Sequence, residues 1–150
     1  MNAWPDKLAL IVITLWVGAL WAIGYLAAPT LFYILEDKQT AGMLAGKMFE
    51  FVAYVGIASA FYLLLHRLIR FGTPALKQGF FWSVLAMLVL VLAGQFGLQP
   101  VMAAIKAEAM PADVMHSVFA DRFRTWHGVA SIAYMIESLL GLVLVLKARQ

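Results

Sequence analysis

Four long apolar stretches alternate with shorter polar segments along the 150-residue chain. The stretches run from Leu8 to about Leu35, from about Met43 to Leu65, from about Gly79 to Ile105, and from Thr125 to Leu146. Each exceeds the roughly 20 residues that a helix needs to cross the hydrocarbon core of a bilayer. Alternating strand patterning is absent, so the pattern predicts an all-α fold of four antiparallel transmembrane helices.

The polar segments predict how these helices are joined. Glu36 to Thr40 predicts a short turn after the first helix, and Gly72 to Pro74 predicts a turn after the second. In the longer segment from Lys106 to Arg124, Pro111 suits a first helical position. Apolar residues then follow at helical spacing: Val114, Met115, Val118, Phe119 and Phe123. We expect an amphipathic helix at the membrane interface before the fourth span, with a solvated extension of that span as the alternative.

Composition agrees with one membrane-embedded domain covering residues 1–150. Hydrophobic residues make up 64% of the chain and charged residues 13%, against roughly 45–50% and 25% in soluble domains. The basic residues lie at the ends of the apolar stretches, so the net charge of +3 predicts topology and not nucleic-acid binding. The absence of cysteine excludes disulfides and thiolate metal sites. The first apolar stretch exceeds the roughly 7–15 residues of a signal peptide's apolar region, so we expect it to remain attached.

The positions of lysine and arginine predict the orientation. With four spans, the two termini and the central loop share one side, and the other two connections share the opposite side. The first side has six basic residues: Lys7, Arg67, Arg70, Lys77, Lys147 and Arg149. The second has five: Lys38, Lys47, Lys106, Arg122 and Arg124. The positive-inside rule then predicts cytoplasmic N- and C-termini in a plasma or inner cell membrane.

One carboxylate, Glu137, stands about 18 Å into the fourth span at ~1.5 Å per residue. An ionisable group at such depth is costly and marks a candidate functional site. A polar stripe lies beside it on one helical face: His127, Ser131, Tyr134 and Ser138. The stripe predicts either a ligand cleft or proton path that uses Glu137, or a packed interface of hydrogen bonds between helices.

Other polar residues are predicted to meet this stripe in the half of the bundle away from the cytoplasm. Gln95 and Gln99 lie one turn apart in the third span, and Glu50 lies in the second. Lys47 precedes Glu50 by three residues, so this pair is expected to neutralise itself near the interface. With His127, these residues predict a polar cavity in that half of the bundle.

The first span has small and aromatic residues on one face, including Gly18, Trp21 and Tyr25, and Gly24 begins a small-x-x-x-small step. Close helix packing is the favoured interpretation, with cofactor stacking as the alternative. No cofactor is predicted. Haem or a soft metal remains an alternative because histidines and methionines occur, but no His-x-x-x-His or paired methionine spacing supports it.

Several short motifs follow one another along the chain. The first helix contributes Leu15-Trp-Val-Gly18, Trp21, Gly24-Tyr25 and Ala28-Pro29-Thr-Leu-Phe32. The later helices contribute Ala41-Gly42, Ala45-Gly46-Lys-Met-Phe49, Arg122-Phe123, His127-Gly128-Val-Ala-Ser131 and Gly141-Leu142. Their order resembles the transmembrane protein 205-like family of small four-helix membrane proteins, a domain of unknown function. The resemblance implies a link to transport or stress tolerance, because a eukaryotic branch is associated with resistance to metal-containing drugs. The positions that it carries over are Gly18, Pro29, Gly46, His127 and Ser131. Pro29 and Gly46 thereby join Gly18, Trp21 and Gly24 in the predicted packing motif.

These observations predict a membrane protein that binds a small molecule or ion, or assists its transport, through the polar cavity. Membrane lipids are its expected surroundings. Four spans are few for a transporter, so a homo-oligomer or a partner membrane protein is also expected. The alternatives are a small membrane enzyme or haem- or metal-associated redox protein that uses His127 and Glu137, and a structural or assembly subunit of a membrane complex.

Overall fold

A computed structural model describes residues 4–148, which form four long helices. They are α1 (Trp4–Ile34), α2 (Lys38–Phe71), α3 (Gly79–Ala109) and α4 (Ala120–Lys147). Each is long and apolar enough to cross a membrane. The predicted all-α class is therefore confirmed. Arg149, which entered the topology prediction, lies outside the described residues.

The helices extend beyond the apolar stretches because their ends are set by capping groups. Asp37 caps α2: its carboxylate accepts hydrogen bonds from the Gln39 N–H at 3.0 Å and from the Thr40 hydroxyl. These bonds lower the pKa of Asp37, the Thr40 bond most. At the other end, Gly72 has a φ of 61°, a left-handed conformation that ends α2 and suits glycine. Hydropathy marks the apolar part of a helix, so it misses such polar first turns.

The amphipathic helix predicted before the fourth span is not formed. α3 continues to Ala109, α4 begins at Ala120, and only a short 3₁₀ turn, Val114–His116, lies between them. Asp113 accepts from the Met115 N–H at 3.1 Å, and the Ser117 hydroxyl donates to the Val114 carbonyl and accepts from the Phe119 N–H. Such local bonds compete with helical ones and explain the correction.

Each helix packs against two neighbours, α1 on α2 and α4, and α3 on α2 and α4. One half of the bundle has a close-packed apolar core in which Trp16, Leu63, Val84, Met87 and Leu144 are fully buried. This half contains the start of α1, the end of α2, the start of α3 and the end of α4. The opposite half contains the functional candidates.

Charged residues meet at the outer end of the core half, where they line a pocket of about 270 Å³. Arg70 and His66 of α2 both contact the Asp6 carboxylate of α1, the His66 Nε2 at 3.2 Å. The buried Arg67 donates to the Gln78 side chain at 3.1 Å and stacks 3.9 Å from the centre of the Phe80 ring. The polar ends of α1, α2 and α3 therefore meet here.

The outer surface of the helices is strongly apolar. Between 22% and 33% of the most apolar window of each helix is buried inside the chain. Large side chains on the outside include Leu15, Leu26, Phe51, Ile69, Leu139 and Leu146. A surface of this extent needs an apolar covering, which a soluble monomer in water does not have.

Candidate functional site

A cleft of about 460 Å³ lies in the half of the bundle opposite the close-packed core. All four helices line it, through the second half of α1, the first half of α2, the later part of α3 and the middle of α4. We call it the central cleft. Its volume falls in the range of roughly 300–1,000 Å³ that is typical of small-molecule sites.

Two π-helical turns, Ile23–Ala27 in α1 and Gly94–Leu98 in α3, face the central cleft. In each, the N–H after the turn reaches back five residues, from Ala28 to the Ile23 carbonyl and from Gln99 to the Gly94 carbonyl. A proline follows each of these residues. Proline lacks an N–H and collides with the carbonyl four residues earlier, so the helix widens there. Such wide turns are frequent at functional sites.

Glu137 of α4 lines the central cleft and is only 6% exposed. Its Oε1 atom is buried without a hydrogen-bond partner. Within residues 4–148, Glu137 forms no ion pair. An unpartnered buried carboxyl group is costly, so this residue is the least satisfied polar group of the cleft.

The predicted polar stripe is divided between the central cleft and the helix packing. Ser131 donates to the His127 carbonyl at 2.8 Å, so its hydroxyl is satisfied within α4, although the residue lines the cleft. Tyr134 also lines the cleft, and its hydroxyl donates across to the Leu20 carbonyl of α1. Ser138 is 1% exposed, donates to the Tyr134 carbonyl at 2.8 Å and lies away from the cleft. The stripe therefore contributes both to the packing between helices and to the wall of the cleft.

Three further candidates line the central cleft with free polar groups. Gln95 and Gln99 lie on the α3 wall, and His127 lies on the α4 wall, stacked on Phe123 with ring centres 5.7 Å apart. Their side chains make no hydrogen bond with another described residue. With Glu137, they leave polar atoms from two helices available inside an otherwise apolar cleft.

Glu50 does not join this set. Its Oε2 atom contacts the Lys47 Nζ at 2.7 Å, and the residue lies outside the central cleft. The expected pairing with Lys47 is therefore formed, whereas the expected meeting of Glu50 with Gln95, Gln99 and His127 is wrong. The three-residue spacing places the Lys47 side chain within reach and leaves Glu50 on the outer side of α2.

Aromatic side chains form one wall of the central cleft. Phe49 meets Tyr134 edge-on at 5.1 Å, and Tyr25 meets Tyr134 at 6.3 Å. Trp21 extends the cluster, 5.2 Å from Tyr25, and donates its indole N–H to the Ser138 carbonyl at 3.2 Å. Phe49 was missed as a site residue. The signal was its position three residues before Val52, which places both on the inner face of α2.

The predicted packing motif is only partly formed. A Cβ on Gly24 would overlap the Tyr134 ring, so glycine permits the close approach of α1 and α4 there. Pro29 lines the central cleft after the π-helical turn. A Cβ on Gly18 or Gly46 would meet no atom within 4 Å. The packing role predicted for these two glycines is therefore wrong within the chain, because they face open space.

The described residues 4–148 contain no group of three or more His, Asp or Glu side chains that could hold a metal ion. His127 and Glu137 are ten positions apart on α4, which separates them by about 15 Å along the helix axis. They cannot ligate one ion together. The alternative in which His127 and Glu137 serve as ligand or as acid and base in an enzyme or redox protein stays a prediction.

A family model described as "Domain of unknown function (DUF4149)" matches residues 11–111. The matched region covers α1, α2 and α3 and ends before α4. No curated protein and no solved structure matches the chain. The match to an uncharacterised domain does not test the resemblance to the transmembrane protein 205-like family.

Proposed function

The chain belongs to the DUF4149 family, a domain of unknown function, and we propose that it is an integral membrane protein that binds a small molecule or ion in its central cleft. The observation that carries the proposal is the set of unpaired polar groups in the cleft. Gln95, Gln99, His127 and Glu137 line it without hydrogen bonds to other described residues. Of these four, only Glu137 is buried, and buried polar groups are normally satisfied. Gln95 and Gln99 are half-buried and His127 is exposed, so their free polar groups are suited to contact a solute or water in the cleft.

We infer that the four helices cross the bilayer in alternating directions. The apolar outer surface and the length of each helix support this arrangement. Lipid then covers the outside, and the central cleft opens in the half of the membrane that contains the α1–α2 and α3–α4 connections. By the positive-inside rule, the termini and the α2–α3 connection lie in the cytoplasm of a cell whose plasma or inner membrane holds the protein.

The proposed role is transport-associated. The resemblance to the transmembrane protein 205-like family, whose eukaryotic branch is associated with drug resistance, supports this direction. Four spans are few for alternating access, so the protein acts as a homo-oligomer or with a partner membrane protein. The cleft is then one solute site within that larger assembly.

Water access to the central cleft tests the proposal directly. The chain has no native cysteine, so single-cysteine variants give clean labelling. Ser131→Cys places a thiol on the cleft wall, and Ile132→Cys places one on the 57% exposed outer surface at nearly the same depth. In proteoliposomes, a sulfonated maleimide should modify Ser131→Cys about tenfold faster, because the reactive thiolate needs water and lipid excludes the charged reagent.

Equal and slow modification of the two variants would show that the cleft is closed to aqueous solutes, and the proposed binding function would then be wrong. Solubilisation in detergent serves as the control for reactivity. There both thiols should react at comparable rates, because the bilayer no longer restricts access to the outer surface.

A further inference from the structure

The charge of Glu137 limits what can fill the central cleft. A carboxylate taken out of water needs a countercharge or hydrogen-bond donors, or it remains costly. Its Oε1 atom has neither among the described residues. A countercharge or donor for this group would therefore come from outside residues 4–148, and a positively charged one matches the carboxylate form of Glu137.

The ionisable residues that line the cleft or approach its wall do not supply that charge. On α1 and α4, Tyr25 and Tyr134 face the cleft, and a phenol side chain carries no positive charge in either form. On α2, Lys47 pairs with Glu50 at 2.7 Å. On α3, the Lys106 ammonium lies 5.3 Å from the centre of the Phe123 ring, which also stacks on His127. Lys106 does not line the cleft. His127 does, but it is about 15 Å along the helix axis from Glu137.

The aromatic wall adds a second feature that favours a cation. Tyr25, Tyr134 and Phe49 form a continuous cluster with ring centres 5.1 and 6.3 Å apart. All three line the same cleft as Glu137. Ring faces attract cations, most strongly those with weakly held water such as quaternary ammonium groups. A carboxylate beside aromatic rings therefore matches an organic cation in both charge and polarity.

Size and ligand chemistry argue against a bare metal ion. A cleft of about 460 Å³ is large for an ion alone, and hard cations such as Ca²⁺ take six to eight oxygen ligands at about 2.3–2.6 Å. Glu137 is the only carboxylate on the cleft wall among residues 4–148. An organic cation fills the volume with apolar groups and needs only one countercharge.

We propose that the central cleft binds a monovalent organic cation, with Glu137 as its countercharge and the Tyr25, Tyr134 and Phe49 rings around its charged group. This inference rests on the proposed function, since it names the class of solute that the cleft takes. An organic cation differs in this from a lipid chain, which would occupy the cleft without contacting the carboxylate as a countercharge.

Three benzyl compounds of matched size test the proposal on the Ser131→Cys variant in proteoliposomes. They are the cation benzyltrimethylammonium, its neutral carbon isostere neopentylbenzene, and the anion phenylmethanesulfonate. The cation should slow thiol modification with a half-effect concentration at least about tenfold below those of the other two. Protection should follow a saturable curve, because one site is filled.

Glu137→Gln keeps the size of the side chain and removes its charge. It should weaken protection by the cation about tenfold, while Glu50→Gln, outside the cleft, should leave it unchanged. Phe49→Leu keeps the carboxylate and removes one ring. It should weaken protection by the cation several-fold without changing protection by the neutral isostere. The comparison of the three compounds on Ser131→Cys alone needs no variant at position 137 to fold.

The two proposals fail in different ways. Rapid modification of Ser131→Cys without preferential protection by the cation overturns the organic-cation assignment and leaves an open binding cleft. Equal protection by neopentylbenzene shows an apolar or lipid site, and preference for the sulfonate shows that His127 and Lys106 govern the site; both overturn it. A thiol that no reagent reaches in the bilayer overturns the binding function and the cation assignment together.

Discussion

Two residues have buried side-chain polar atoms without a hydrogen-bond partner among the described residues, Trp16 at Nε1 and Glu137 at Oε1. Their surroundings differ. A Cβ on Gly56 would lie 2.6 Å from the Trp16 Nε1, so the α2 backbone presses against the indole and leaves no room for a solute. Glu137 instead lines an open cleft. At the scale of single residues, a missing hydrogen-bond partner therefore reflects close packing at Trp16 and indicates a binding site at Glu137.

The glycines give a prediction about packing at this scale. Gly56→Ala should lower the free energy of unfolding by about 1–3 kcal/mol, because the added methyl group overpacks against Trp16. Gly24→Ala should act in the same direction through the Tyr134 ring. Reversible unfolding in mixed micelles, followed by tryptophan fluorescence, measures both changes.

Gly18→Ala and Gly46→Ala are the matched controls for these substitutions. An added Cβ meets no atom within 4 Å at either position, and alanine favours the helix by up to about 1 kcal/mol. We expect unchanged or raised stability. Destabilisation of these controls by as much as Gly56→Ala would contradict the packing described here and would indicate an interface with another chain.

At the scale of whole helices, the shape of the cleft depends on two π-helical turns. The two π-helical turns widen α1 and α3 where both face Glu137, and each precedes a proline, Pro29 or Pro100. The widened backbone and the small residues Gly24 and Gly94 keep side-chain volume out of the cleft. The apolar half of the bundle has no such turn among the described residues and is closely packed.

Removing the prolines should close the cleft. Pro29→Ala and Pro100→Ala each restore an N–H and remove the ring collision, so the wide turn can relax to an α-helical one. Tightening a π-helical turn to α-helical geometry rotates the following segment by about 100° and so moves its side chains relative to the cleft. In the Ser131→Cys background, modification by the sulfonated maleimide should then slow roughly threefold or more.

Pro74→Ala is the control for these variants, since Pro74 lies in the 3₁₀ turn Thr73–Lys77, away from the cleft. It should leave the modification rate unchanged. If all three proline variants slow modification equally, the effect comes from general destabilisation and the role given to the π-helical turns is wrong.

The whole molecule has two unlike halves. One has a close-packed apolar core with the Asp6, His66 and Arg70 cluster at its outer end, and the other contains the central cleft. The proposed orientation places these two halves of the bundle in opposite leaflets of the bilayer. Glu36→Cys, after α1, and Thr73→Cys, after α2, report on the two sides. In right-side-out vesicles, a sulfonated maleimide should modify Glu36→Cys only, because the α2–α3 connection faces the cytoplasm.

Detergent permeabilisation should then make Thr73→Cys reactive. This control shows that the thiol is unreactive in intact vesicles because of the membrane and not because it is buried in the protein. Modification of Thr73→Cys alone in intact vesicles would reverse the orientation. Modification of both before permeabilisation would contradict a crossing by α2 and, with it, the proposed four-span topology.

The apolar pattern of the sequence was sufficient to predict four helices, because a span of lipid-compatible residues is a local property of the chain. The polar spacing on the fourth span likewise predicted His127, Ser131, Tyr134 and Glu137 as candidates, since helical periodicity fixes which side chains share a face. The bounds of α2 and the segment before α4 were predicted less well. They depend on the hydrogen bonds of Asp37, Asp113 and Ser117, which hydropathy does not register.

Only the tertiary structure decided which polar residues meet. It brought Gln95 and Gln99 from α3 to the cleft beside Glu137, kept Glu50 outside with Lys47, and buried Ser138 in the packing. It also added Phe49 and Tyr25 as an aromatic wall. The physical reason is that a helical face is set by the sequence, whereas the partner of that face depends on the rotation of each helix. Here the wide turns before Pro29 and Pro100 and the close approach at Gly24 set those rotations.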